Sequence, residues 1–303
     1  VTEITQKRYI ALAQEMYLRA RQKESLHEFV KGAWPNFEGD TPFIDGWHIG
    51  AICEHLEAVT SRQIRNLILN QPPRTMKSSI VSICWPAWVW LNSPSEQFLF
   101  ASYAQALSTR DSVKCRRLIE SDWYRKRWSD VYSLVGDQNT KIKYENDKAG
   151  YRIATSTNAS VTGFGANFLV IDDGNNAGDA QSDIKRDTAN SWLDGVWSTR
   201  LNDPKRDCRV LVQQRIHEND MTGHILKNDT DKHWVHLCLP MEYVGARKCK
   251  TIILPSTKGK PWEDPREVDG ELLWPERIGP KELAQFKNDL GSQYAISGQL
   301  QQS

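Results

Sequence analysis

The chain has no CxxC pair, no long hydrophobic run and no excess of either charge. Its six cysteines, Cys53, Cys84, Cys115, Cys208, Cys238 and Cys249, follow no regular spacing. That pattern argues against a zinc site or a disulfide frame and suits a reducing compartment. Several lie inside apolar runs, where cysteine behaves as a small buried hydrophobe. The longest apolar run, about Ile80 to Leu91, is broken by Ser82 and Pro86 and is too short to span a bilayer. No signal peptide is visible. Lys plus Arg number 39 and Asp plus Glu 38, so nucleic-acid contact would need a local patch rather than a global field. Internal repeats and low-complexity segments are also lacking. What remains is a globular composition, 39% hydrophobic and 25% charged over 303 residues, enough for one large α/β domain with an appendage.

Residues 5 to 33 are polar with spaced apolar positions and predict one or two helices. The stretch Trp47 to Val59 puts Ile49, Ile52, Leu56 and Val59 on one helical face. From there short apolar runs alternate with helical stretches. "RNLILN", "QFLFAS", "YRIATS", "NFLVIDD", "RVLVQQ" and "WVHLCL" read as strands. Helices are expected from about Ala104 to Glu120 and around Ser182 to Arg200. Strands with helices between them predict a mostly parallel sheet covered on both faces. After Pro240 the chain turns rich in Pro, Gly and charge, with one helix near Pro280 to Leu290. The expected division is a helical region over 1–60, a core over 61–240, and a lid with the start of a linker over 241–303.

The turn "NQPPRTMKSS" between strand and helix ends in Lys77 and Ser78. A phosphate-binding loop needs a positioning strand, inward backbone N–H groups, a Lys for the β/γ-phosphates and a hydroxyl for Mg²⁺. Leu67 to Asn70 would supply the strand, and the next helix would aim its N-terminus at the anion. Gln71 and Met76 stand where such loops carry glycines. A plain surface turn with an exposed Lys is the alternative. "FLVIDD" is an apolar strand ending in two carboxylates at the sheet edge where α/β folds bind ligands. Asp172 would hold Mg²⁺ with Ser78, and Asp173 would orient or deprotonate an attacking water. A strand-end Asp pair starting a turn at Gly174 is the alternative there. "RVLVQQRIHEND" ends a third strand in Gln213, Gln214 and Arg215, placed to sense a γ-phosphate or merely to cap the strand. His217, Glu218 and Asp220 read as a helix start, with Asn219 or Asp220 near the cap, rather than as a metal cluster.

Taken together, "PFIDGWHIGAICEHLEAV", "NQPPRTMKSSIVSICWPAWVW", "TGFGANFLVIDD", "TRLNDP", "QQRIHENDMTGHIL", "GELLWPERI" and "GSQYAISGQLQQ" resemble the large terminase subunit of tailed bacteriophages. The resemblance runs from about Phe29 to the end. It implies an ASCE-type P-loop NTPase fold and an ATPase that pumps double-stranded DNA into a procapsid. ATP and Mg²⁺ are the implied cofactors. The implied ATP-binding residues are Gln71, Pro72, Pro73, Arg74, Thr75, Met76, Lys77, Ser78 and Ser79, with Trp47 and His48 cradling adenine. Lys77, Arg74 and Asp173 take catalytic roles, Ser78 and Asp172 the metal, and Gln213, Gln214 and Arg215 the coupling. One branch of the family carries Pro-Pro-Arg-x-Met-Lys-Ser, which accommodates Met76.

Two departures stand out. Asp173 replaces the catalytic Glu of many relatives and is one methylene shorter. Thr162 occupies the place of an arginine that in many relatives reaches the neighbouring subunit, leaving Arg200 and Arg215 as substitutes. The implied partners are double-stranded DNA, the portal protein on the procapsid, a small terminase subunit and further copies in a ring, in the host cell cytoplasm and without a membrane. The family's C-terminal nuclease would follow the linker-like "YAISGQLQQ", so the expectation is an ATPase module, monomeric or ring-forming, without nuclease activity.

DNA-contacting residues are harder to read. Residues 110 to 128 hold seven basic against three acidic side chains, and "TRLNDPKRDCR" is a second basic stretch. Solvated helix faces with local ion pairs explain them as well. Trp85, Trp88 and Trp90 are expected in the core. Two other functions fit the same motifs. One is another P-loop DNA motor, such as a helicase. The other is a degenerate module that binds nucleotide or DNA without hydrolysis, as Gln71, Met76 and the missing Glu at 173 suggest.

Overall fold

Short strands buried on both faces build the centre of the molecule. A computed structural model describes residues 3–161, 163–253 and 261–303; Thr162 lies outside the described residues. Its strands are β1 (Asn66–Asn70), β2 (Phe98–Ser102), β3 (Leu134–Asn139), β4 (Lys143–Asn146), β5 (Tyr151–Ser156), β6 (Phe168–Asp172), β7 (Cys208–Gln213) and β8 (Val235–Cys238). They form one sheet in the order β3-β4-β5-β2-β6-β7-β1-β8. All neighbours from β5 to β8 pair in parallel. The β3–β4 and β4–β5 pairs at the other edge are antiparallel. This is the α/β fold expected of an ASCE-type P-loop protein: β7 is the additional strand between the loop strand β1 and the acidic strand β6. The sequence reading missed β3 and β4. Their segment is polar and only every second residue of β4 is buried, so no long apolar run marks it.

Helices α1 (Glu3–Glu24), α2 (Leu26–Ala33), α3 (Trp47–Thr60), α4 (Trp85–Asn92), α5 (Gln105–Glu120), α6 (Asp122–Trp128), α7 (Asp183–Gly195), α8 (Met221–Asn228) and α9 (Pro280–Leu290) surround the sheet. Alternation along the strands divides the core in two. Leu67, Leu69, Phe98, Phe100, Phe168, Val170, Val210 and Val212 pack toward α2 to α5. Ile68, Leu99, Leu169, Ile171 and Leu211 face α7 and α8. Trp85, Trp88 and Trp90 are buried, as expected. The helix predicted to reach Arg200 ends at Gly195 and continues as a single tight turn, Trp197–Thr199.

Residues after Pro240 share the first core through Leu273, Trp274, Ile278, Leu283 and Leu300. The Arg266 guanidinium joins this region to the rest. It pairs with buried Asp264, bonds the carbonyls of Pro240, Met241 and Glu271, and lies 5.2 Å from the Trp47 ring. The six cysteines are free and mostly buried. Among the described residues no helix is long and apolar enough to cross a membrane.

Candidate nucleotide site

The end of β1 is knitted to its neighbours before the loop begins. Buried Asn70 donates to Gln213 O at 3.0 Å and Thr222 Oγ1 at 3.1 Å, and its Oδ1 accepts from His236 Nε2 at 2.7 Å. The loop then closes on itself, with Thr75 Oγ1 donating to Pro72 O at 2.8 Å and Gln71 Oε1 at 3.2 Å. Arg74 and Met76 adopt φ of 66° and 67°. That left-handed conformation costs a residue with a Cβ about 1–2 kcal/mol. Met76 thus takes a backbone conformation suited to glycine, and its side chain is buried in the core, which offsets part of the cost.

The helix after the loop opens as a wide π turn, Ser79–Cys84, a form concentrated at functional sites. Two hydroxyls, one just before this turn and one within it, meet one carboxylate. Ser78 Oγ donates to Asp172 Oδ1 at 3.0 Å and Ser82 Oγ to Oδ2 at 2.6 Å. Burial, then the charges of Asp173 and Asp111, push the Asp172 carboxyl up to about 7; Ser82 and the Lys77 ammonium oppose the shift. Lys77 is itself buried. Asp173 has φ of 53°, and its backbone is held by Val212 O and by the Tyr103 N–H, both at 2.8 Å.

Between the loop and α5 lies a cleft of about 440 Å³, within the range of small-ligand sites. Pro73 to Ser79 form one side; Arg110, Asp111 and Lys114 of α5 form another; Asp173, Gln214 and Arg277 complete it with Trp34, Glu38 and Thr41. Arg110 clasps buried Asp111 through Nε at 2.8 Å and Nη2 at 3.0 Å, and Lys114 Nζ meets Glu38 at 2.6 Å. Sequence reasoning missed Ser82, Arg110 and Asp111 as site residues. The usable signal was position: α5 follows β2, which ends beside β6 at the same sheet edge.

Other predicted residues lie elsewhere. Of the coupling trio only Gln214 lines the cleft. Gln213 is buried and donates to Thr222 Oγ1 at 3.0 Å. Arg215 is tied to Asp220 at 2.9 Å and to the carbonyls of His217 and Glu218. Asp220 caps α8 through the Gly223 N–H, as the sequence suggested. Arg200 bonds its neighbour Thr199. Trp47 and His48 do not line the cleft. His48 is fully buried, 4.8 Å from the Trp274 ring, and burial pulls its pKa down to about 3, so it is neutral. Most of the basic stretch is paired, with Lys114 on Glu38, Arg116 near Glu120 and Arg127 on Glu15.

No group of three His, Cys, Asp or Glu among the described residues is arranged to hold a metal by itself. Mg²⁺ takes one or two carboxylates plus substrate phosphates, so the Ser78 hydroxyl and Asp172 suffice as the protein's share. Burial first, then the neighbouring Asp173 and Asp111 carboxylates, disfavour a charged Asp172, and a cation held there would offset both.

No family model and no curated protein matches the chain. Solved structures that are similar to the chain include two large terminases. The large terminase of bacteriophage HK97 superposes over 72% of this chain and 44% of its own, at 12% identity and a TM-score of 0.49. The large terminase of a thermophilic bacteriophage, solved in complex with ADP, superposes over 62% and 44%, at 11% identity and a TM-score of 0.40. The aligned region spans less than half of either structure.

Proposed function

We propose that this chain is the ATPase module of a DNA-packaging motor of the terminase type. The observation that carries the reading is the pair of hydroxyls, Ser78 and Ser82, converging on Asp172 next to buried Lys77. In this reading the loop N–H groups and Lys77 bind the β/γ-phosphates of ATP, with Arg74 and Arg110 at the rim. Bound Mg²⁺ neutralises phosphate charge and would be held by Ser78 and Asp172. Asp173 orients the attacking water and accepts its proton. Gln214 sits against the γ-phosphate side, and the Arg215 N–H passes its displacement to Gln302 Oε1, 2.9 Å away in the C-terminal segment. Double-stranded DNA, a portal, a small subunit, a ring of copies and a cytoplasmic setting in the host belong to the same proposal. Trp47 and His48 belong to this reading as residues of the segment before the loop that cradles adenine.

Asp173 supports a second reading, nucleotide binding without turnover, because its carboxylate is shorter than the Glu it replaces. ATP hydrolysis by the wild type, Lys77→Ala and Asp173→Asn over a protein concentration series separates the two. The motor reading expects a fall of about 10²-fold or more in both variants. Turnover untouched by Lys77→Ala overturns the site. Tight ATP binding with no turnover at any concentration selects the second reading.

A further inference from the structure

A second cavity, about 470 Å³, opens on the other side of the sheet between α7, α8 and the starts of β1 and β7. It shares no residue with the nucleotide cleft. Part of its wall is apolar: Trp197, Leu193 and Ile225 from the second core, with Trp234 packed against them. Two guanidiniums enter this setting side by side. Arg209 donates to Ser198 O at 2.9 Å and Asn66 Oδ1 at 3.3 Å. Arg65 bonds Pro204 O, while its Nε is buried without a partner. Neither has a carboxylate partner among the described residues. Burial and the Arg65 charge lower the pKa of Arg209, as two crowded like charges require.

Two acids, Asp194 and Asp229, also line the cavity, and neither is bonded to a guanidinium: Asp194 is paired with His224 at 2.8 Å, and Asp229 accepts the N–H groups of His233 at 2.8 Å and Trp234 at 2.9 Å. Two half-buried guanidiniums with no carboxylate bonded to them suit a phosphate or carboxylate. Half-buried Trp234 suits the flat apolar body of the same ligand, and the volume lies in the small-molecule range.

We infer that this cavity is a second ligand site, independent of the nucleotide cleft, for a small organic anion with an aromatic or aliphatic body. Arg65 and Arg209 bind the anionic head, and Trp234 packs against the body. The inference does not rest on ATP hydrolysis.

Isothermal titration with phenyl phosphate tests it, using Lys77→Ala protein so that the phosphate loop is disabled as a competing site. One saturable site per chain is expected, weakening as salt is raised. Inorganic phosphate and benzyl alcohol are expected to bind at least about tenfold more weakly, since each carries half of the recognised chemistry. Arg65→Gln and Arg209→Gln are each expected to cost about tenfold, with melting curves confirming that the variants fold. If Arg209→Gln fails to fold, Arg65→Gln and the salt dependence of the parent carry the decision. Absence of saturable binding overturns the site. So does affinity unchanged by Arg65→Gln and by salt, or benzyl alcohol binding as tightly as phenyl phosphate.

Discussion

Ser82 and Asp172 are joined at 2.6 Å, one turn beyond the 3.0 Å bond from Ser78 to the other oxygen of the same carboxylate. Four residues apart, Ser78 and Ser82 lie on one face of the helical segment that follows the loop. Ser82 is therefore predicted to matter although it lies outside the loop. Ser82→Ala leaves one Asp172 oxygen short of a donor in a buried place and should cost about 1–2 kcal/mol in urea unfolding. The Mg²⁺ concentration giving half-maximal ATP binding should shift as well. An unchanged urea midpoint and metal dependence would remove Ser82 from the site.

The backbone at Met76 makes a second prediction. At φ of 67° a β-branched residue is disfavoured more than Met, so Met76→Ile should lower stability by about 1–2 kcal/mol despite conserved volume. Ala149, exposed in the β4–β5 turn with φ of 65°, is the control without packing. Ala149→Gly should raise stability by about 0.5–1 kcal/mol, because relief of strain exceeds the entropy added to the unfolded chain. Urea midpoints check both signs.

Acidification should destabilise the fold. Burial lowers the pKa of His48 to about 3 and those of His55 and His236 to about 4. Their unfolded value is about 6.5, so unfolding takes up protons between there and pH 4. Their contribution is complete above 6.5 and is lost as pH falls through the folded values. Asp172 acts oppositely: its folded pKa of about 7 exceeds the unfolded value, so its part of the stability grows as pH falls from 7 toward 4. Glu54 and Glu57, also raised by burial, act with Asp172, and the three imidazoles outweigh them. Melting temperatures from pH 7 to 4.5 should fall, and His236→Gln should reduce the slope.

Gln302 should report on the coupling segment. Its Oε1 accepts the Arg215 N–H at 2.9 Å, and Gly298 packs close to the Arg215 carbonyl. Gln302→Ala removes an acceptor worth about 1 kcal/mol, so hydrogen exchange at the Arg215 amide should accelerate about fivefold. Exchange on α5 should not change. An unaltered Arg215 amide would mean that the C-terminal segment does not hold this strand end.

Local pattern made much of the fold legible before any coordinates. "YRIATS" is β5 end to end, and the helix near Pro280 to Leu290 is α9, because apolar runs and capping residues act over a few neighbours. The hairpin of β3 and β4 was not legible: β3 is the edge strand, with little apolar surface to bury, and "KYEN" of β4 buries only every second residue. At the candidate site, Lys77, Ser78 and Asp172 stood out because each ends or follows a strong strand. Asp111 did not, being one acid in a basic helix whose depth only packing reveals.

The sequence by itself determined the alternation of strands and helices, the loop ending in Lys77-Ser78 and the acidic end of β6, all consequences of short-range periodicity and turn chemistry. The tertiary structure decided the rest: β7 between β1 and β6, Ser82 on Asp172, Arg110 and Asp111 at the cleft, Trp47 under Arg266, His48 beside Trp274, and Arg215 on Asp220. Strand order and side-chain partners depend on contacts between residues far apart in sequence. A buried polar group takes whatever partner that packing leaves beside it.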